Sequence, residues 1–337
     1  MSTFRFFILL LLVSLGYSQV QCNNSELTHI RTCECDSSVN RDASGPATES
    51  PYNLIQGALL GSRFKSLEEL KSVIQIEYVT DPYGSDSTSR ENTIVRVFHC
   101  SNGHDVISVL KAGISQGDMS NARNGNFWDR LHLLLRSPFA ITNRMDLSKV
   151  YLLARRRADL FGEGDPAFYD LAETAVKNIN TQDLAFINVR DSTEKGYLNS
   201  FNHITAQAFI TSCFSERLAD FVGDAHERYY HPELITGRFS EEEVRDLDEG
   251  PVDNYVDLIN NEWGQELGKV LKEKYNISKA TYWTPELLAS YLNDLQSYYS
   301  WAFQIGFKPV RSQDEVVIRF SNKLNLVLLG AVSVEMK

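Results

Sequence analysis

Between Asn199 and Gly268 the sequence gathers the side chains best suited to acid–base or metal chemistry. Asn199-Ser200-Phe201-Asn202-His203 opens one apolar run, and Gly223-Asp224-Ala225-His226-Glu227 closes a second. Asp257-Leu258-Ile259-Asn260-Asn261-Glu262-Trp263-Gly264 lies on a third. Imidazoles and carboxylates exchange protons or ligate divalent ions near neutral pH. Carried on three successive helices, they can converge in a bundle interior. In one arrangement His203, His226 and Asp257 ligate zinc or another divalent metal, and the remaining acid, Glu227, is the base towards a metal-bound water. The spacing is not that of a His-Glu-x-x-His helix. In a second arrangement, without metal, Glu227 or Asp257 does the acid–base work, His203 or His226 shuttles the proton, and Asn199, Asn260 and Asn261 orient substrate. A carboxyl group raised in pKa by an apolar pocket suits glycosidic cleavage. In a third, the same residues satisfy one another as a buried hydrogen-bond network that fixes packing.

Helical spacing sharpens the grouping. Asn199 and His203 are four apart and share a face, with Gln207 one turn on. Asp220, Asp224 and Glu227 share a face of the next helix, with His226 about 100° away from Glu227. On the third, Asp257, Asn261, Gly264 and Gly268 form a polar and small stripe beside an apolar one of Val256, Ile259, Trp263 and Leu267. A glycine inside a helix costs about 1 kcal/mol against alanine, so two on one stripe predict close approach of another group.

These motifs resemble a helical domain family of unknown function found in bacterial secreted and phage-associated proteins. Its pattern is Asn-Ala-Phe-Arg-His, then His-Glu at the end of the next helix, then Asp-Leu-x-Asn-Asn-x-x-Gly. Asn199, Phe201 and His203 match the first motif, with Asn202 in place of the arginine. His226 and Glu227 match the second; Asp257, Leu258, Asn260, Asn261 and Gly264 match the third. The resemblance spans residues 199–268 only, and it implies a site without implying a reaction.

The surroundings narrow the function classes. The net charge of −11 opposes a nucleic-acid backbone or an anionic membrane as main partner at long range. Arg5, the apolar run Phe6–Leu15 and Gly16-Tyr17-Ser18 read as a signal peptide over 1–18, so secretion is expected. No later run is long enough to span a bilayer. The five cysteines, Cys22, Cys33, Cys35, Cys100 and Cys213, suit two bridges and a buried free thiol at Cys213. Asn23 and Asn276 begin glycosylation sequons. Gly-x-Ser-x-Gly and phosphate-cradling glycine loops are absent, so neither a serine nucleophile elbow nor a nucleotide cofactor is expected.

The expected fold is mainly α, a helical bundle with a few peripheral strands. An irregular disulfide-tethered arm over 19–50 leads into an α-rich region over 51–190, with helices at 52–64 and from a Ser66 capping box to about Ile76. A strand over 92–100 precedes a short helix at 105–112 and a loop over 113–126. Asp165 and Pro166 read as the cap and first residue of a helix. The central bundle, 191–310, carries the polar site and ends with a long helix from Pro285 whose aromatic stripe is core. Val316–Phe320 and Leu324–Leu329, joined at Ser321-Asn322-Lys323, read as a hairpin within a C-terminal element over 311–337. The expectation for function is a secreted hydrolase, metal-assisted, acting on an extracellular substrate or ligand. The alternative is a non-catalytic secreted binding or structural protein.

Overall fold

The computed structural model describes residues 61, 64–80, 92–101, 104–192, 194–246 and 250–330. The signal-like segment, the arm with Cys22, Cys33 and Cys35, most of the expected helix over 52–64 and the loop at 81–86 lie outside these. Within them the fold is mainly α with one small antiparallel sheet, as the hydrophobic periodicity predicts.

Ser66 caps α1 (Leu67–Lys71), its hydroxyl accepting from the Glu69 amide at 3.1 Å. That helix stops well before Ile76. Ile74-Gln-Ile-Glu-Tyr-Val-Thr alternates β-branched and aromatic residues with polar ones, and it forms β1 (Ile74–Thr80) instead. β2 (Thr93–Ser101) pairs with β1 and with β3 (His104–Leu110), in the order β1-β2-β3. β3 replaces the short helix expected at 105–112, because Val106, Ser108 and Leu110 alternate inwards with period two.

The expected loop over 113–126 holds α2 (Gln116–Asn124), whose cap is Ser115 and whose Asp118 returns a bond to the Ser115 amide. There follow α3 (Phe127–Arg136), α4 (Pro138–Thr142), α5 (Arg144–Leu153), α6 (Ala158–Phe161), α7 (Phe168–Asn178) and α8 (Gln182–Ala185). The bundle then runs through α9 (Asn199–Cys213), α10 (Glu216–Tyr230), α11 (Glu233–Thr236), α12 (Glu241–Arg245), α13 (Pro251–Lys274), α14 (Pro285–Phe303) and α15 (Glu315–Leu328).

α15 corrects the expected C-terminal hairpin. Val317, Phe320, Ser321, Leu324, Val327 and Leu328 are buried at i, i+3, i+4, i+7 spacing, which is a helix face and not two strands. The polar trio read as a turn sits inside that helix, with Lys323 buried against Asp165 at 2.7 Å. Asp165 therefore caps nothing. Its carboxylate also accepts from the Arg157 amide at 2.7 Å, and α7 begins two residues after Pro166, with Asp170 accepting from the Ala167 amide at 2.7 Å.

α13 lies between two cores. Val252, Tyr255, Val256 and Ile259 pack under the sheet on Val95, Val97 and Leu110. Leu267 and Leu271 join the larger core of α7, α9, α14 and α15, where Phe201 stacks on Tyr299 at 4.1 Å and Phe209 meets Trp283 and Tyr291. The glycine stripe of α13 faces α9 directly. A Cβ on Gly264 would lie 2.9 Å from the Ile204 carbonyl, and one on Gly268 would lie 2.7 Å from that of Ala208. Both obstacles are backbone, which cannot rotate away. Gly268→Ala is therefore expected to lower the unfolding free energy by about 1–3 kcal/mol, despite alanine's better helix propensity. Chemical denaturation reads this directly, and a stabilised variant would show that α9 and α13 are free to separate.

Candidate functional site

Most of the predicted residues meet along the α9–α13 seam and run on to α10. The two carboxylates of Asp253 and Asp257, one turn apart on α13, close on one amide nitrogen. Asn199 Nδ2 donates to Asp253 at 3.0 and 3.1 Å and to Asp257 at 2.9 and 3.1 Å. One turn further along α9, His203 has its Nε2 3.3 Å from Asp257 Oδ2 and its Nδ1 2.9 Å from Asn261 Oδ1. Asn261 Nδ2 in turn donates to Glu227 Oε1 of α10 at 2.9 Å. Asn199, Asp257, His203, Asn261 and Glu227 thus form one continuous line across three helices. Its Asn199 and His203 end is half-buried, and its Glu227 end is closed at 1 % exposure.

Two predicted residues stand apart. His226 leans towards α2, its Nδ1 3.4 Å from Gln116 Oε1 and its ring 4.6 Å from that of Tyr230. Burial, reinforced by the neighbouring imidazoles, pushes it down to about 4, so it is neutral at pH 7. Asn260 is completely buried one position off the 257/261/265 stripe. Among the described residues, no three His, Cys, Asp or Glu side chains are gathered as a metal's ligand set. Of the expected ligands His203 and Asp257 are together, Nε2 3.3 Å from Oδ2, whereas His226 is turned towards Gln116.

Burial sets the protonation of the far end. Glu227 is held well above the ordinary carboxyl range by desolvation first and by the Asp257 charge second, opposed by the Asn261 amide. Among the described residues its Oε2 has no hydrogen-bond partner, and His231 Nε2, at 4.0 Å, is beyond bonding length. The amide of Asn261 then links two proton positions. With Nδ2 given to Glu227, its Oδ1 faces His203 Nδ1, and both ring nitrogens carry protons. With the amide turned over, a protonated Glu227 donates to Oδ1, Nδ2 donates to His203 Nδ1, and the ring keeps one proton towards Asp257. Both arrangements hold the same number of protons and the same net charge. A raised Glu227 favours the second. The line can therefore store a proton at either end, which is what general acid–base catalysis asks of a site.

Sequence reasoning missed Asp253, Lys111, Gln116 and Gln265, whose amide nitrogen lies 3.3 Å from the Gln207 amide oxygen. Asp253 carried a signal, because it is four residues before Asp257 and so on the same face. Lys111 carried none. It reaches from the end of β3 to Asp220 at 2.6 Å, a contact that only tertiary structure creates. Beside Glu227, a cavity of about 10 Å³, room for one water, is lined by Gly223, Asp224, Asn261, Glu262 and Gln265.

Glu262 is pushed up to about 7 by burial, partly offset by the Val109 amide it accepts at 2.9 Å. The folded state thus keeps a proton that the unfolded chain releases above its ordinary value. Its contribution is whole below about pH 4.5 and drains as pH rises towards 7. Glu262→Gln, which keeps an acceptor for Val109, is expected to raise stability by about 1–3 kcal/mol at pH 8 and by little at pH 4. Melting curves at the two pH values check this; equal shifts at both would remove the ionisation from the account.

Neither a protein-family model, nor a curated protein, nor a solved structure matches this chain.

Proposed function

We propose that the chain is a secreted hydrolase that works by acid–base chemistry along the Asp257–His203–Asn261–Glu227 line. The observation that carries this reading is the half-buried His203, held by the Asp257 carboxylate on one nitrogen and by the Asn261 amide on the other. Asp257 orients the ring, His203 takes or gives the proton at the open end, and Asn261 couples it to the raised acid Glu227. Asn199, which binds both carboxylates, fixes Asp257 and stands beside His203 where a substrate's polar group would arrive. Secretion is proposed from the leader-like 1–18 segment, and the exposure of Asn276 in the Asn276-Ile277-Ser278 sequon supports glycosylation there. A divalent metal is kept as a measurement: elemental analysis of the purified protein finds about one ion per chain if an additional ligand completes a site.

The reaction is tested with the mature protein on a panel of ester, glycoside, phosphodiester and peptide substrates. Turnover of one class is the expected result, and turnover of none retires the hydrolase reading. One observation favours a second reading. Glu227 binds Asn261, Asn199 binds Asp257, His203 joins the two pairs, and the adjoining cavity has room only for a water, as in a network that serves packing in a non-catalytic secreted protein.

A further inference from the structure

The face of α3 turned away from the protein is apolar. At 100° per residue, Leu134, Phe127, Leu131, Leu135 and Trp128 fill an arc of about 120°, and Leu133, the helix's buried residue, lies opposite its centre. Phe127, Trp128 and Leu135 are 69, 71 and 74 % exposed. An amphipathic helix ordinarily buries that stripe against a core; this one offers it to solvent. The charges of the surrounding segment are mainly positive. From Gln116 to Met145 the chain has four arginines, no lysine or glutamate and two aspartates, a surplus of two positive charges in a chain of net charge −11. Arg136 is engaged with Asp118 at 3.2 Å; Arg130, 40° from Leu134 on α3, is exposed and donates to the Ala122 and Arg123 carbonyls, and Arg123 and Arg144 are exposed on α2 and α5.

We propose that α3 docks the protein on an anionic phospholipid surface, with Phe127, Trp128 and Leu135 entering the interface and the arginines meeting lipid phosphates. Aromatic side chains with apolar bodies settle at the headgroup level, and long arginine stems reach from apolar depth to the phosphates. No helix of the described residues is long and apolar enough to cross a membrane, and α3 itself is ten residues long, so the contact lies in the plane of the surface. A second copy of the chain is a poorer occupant, because a two-fold pairing of this face would set arginines against arginines. The overall negative charge opposes the approach, but at physiological salt it is screened beyond about 8 Å, and the local surplus governs contact.

The test mixes the full mature chain with vesicles of phosphatidylcholine alone and with vesicles that also contain phosphatidylserine. Co-sedimentation with the phosphatidylserine vesicles is expected, weakening with salt, with a blue shift of tryptophan emission. Phe127→Ser combined with Trp128→Ser is expected to weaken binding at least about tenfold with an unchanged melting curve. Leu135→Ser serves as a milder second variant, should the first fail to fold. Absent or equal binding to the two vesicle types overturns the proposal. Undiminished binding by the variants does so too, as does a lipid-free dimer that the substitutions abolish.

Discussion

Replacing Lys323 with alanine is expected to lower the unfolding free energy by about 3–5 kcal/mol, the largest single effect on stability. All three donors of the ammonium are used: the Asp165 carboxylate at 2.7 Å and the carbonyls of Arg155 at 2.8 Å and Pro166 at 2.7 Å. Both side chains of the pair are 1 % exposed. Removing the cation leaves a buried carboxylate with the Arg157 amide but without its ion-pair partner, together with two carbonyls short of a donor. The pair ties α15 to the turn before α7, so the loss is felt by the C-terminal helix as a whole. The double variant Asp165→Asn, Lys323→Met removes both charges and keeps an acceptor for the Arg157 amide. It is expected to recover most of the loss, since a buried ion pair is worth little over an apolar pair of like volume. Urea unfolding of the three proteins settles it, and a single-variant loss below about 1 kcal/mol would contradict the role given to Lys323.

Glu227→Gln is expected to separate activity from stability. The carboxyl is held well above its ordinary range, so the folded protein keeps a proton that the unfolded chain gives up above about pH 4.5. Stability from this group is whole below that value and is lost as pH rises through the folded one. Glutamine cannot ionise, retains an acceptor for Asn261 and places its amide nitrogen beside the small cavity, where a water can accept from it. The variant should thus be more stable than the wild type at pH 8 and nearly equal at pH 4. Its turnover should fall by about 10²–10⁴, because the proton at the far end of the line is gone. Higher stability with unchanged turnover would leave Glu227 a packing residue. Lower stability at pH 8 would contradict the raised carboxyl itself.

Much of the site was legible because helical spacing converts directly into shared faces. Asn199 and His203 at i, i+4, and Asp257, Asn261, Gly264 and Gly268 on one stripe, already place the polar line and the close α9–α13 approach. What spacing gives less surely is how a side chain is turned within a bundle. His226 adjoins Glu227 in sequence, but lies on another face and meets Gln116 of an element read as loop. The strand β3 and the helix α15 were exchanged in kind for one reason. Short apolar runs rich in valine and isoleucine suit either structure until a partner exists. At α15 the deciding partner is Asp165, far away in sequence, which turns Lys323 from an apparent turn residue into a buried one.

The central claim is that the seam does acid–base chemistry and is not merely packed. The measurement that tests it most directly is turnover on the responding substrate class by wild type, His203→Ala and Asp257→Asn, with thermal unfolding recorded on each protein. The account predicts that both substitutions cut turnover by about 10²–10⁴ while the variants still fold and unfold cooperatively. Turnover that survives both substitutions, or a protein that loses its fold when either is made, would contradict it.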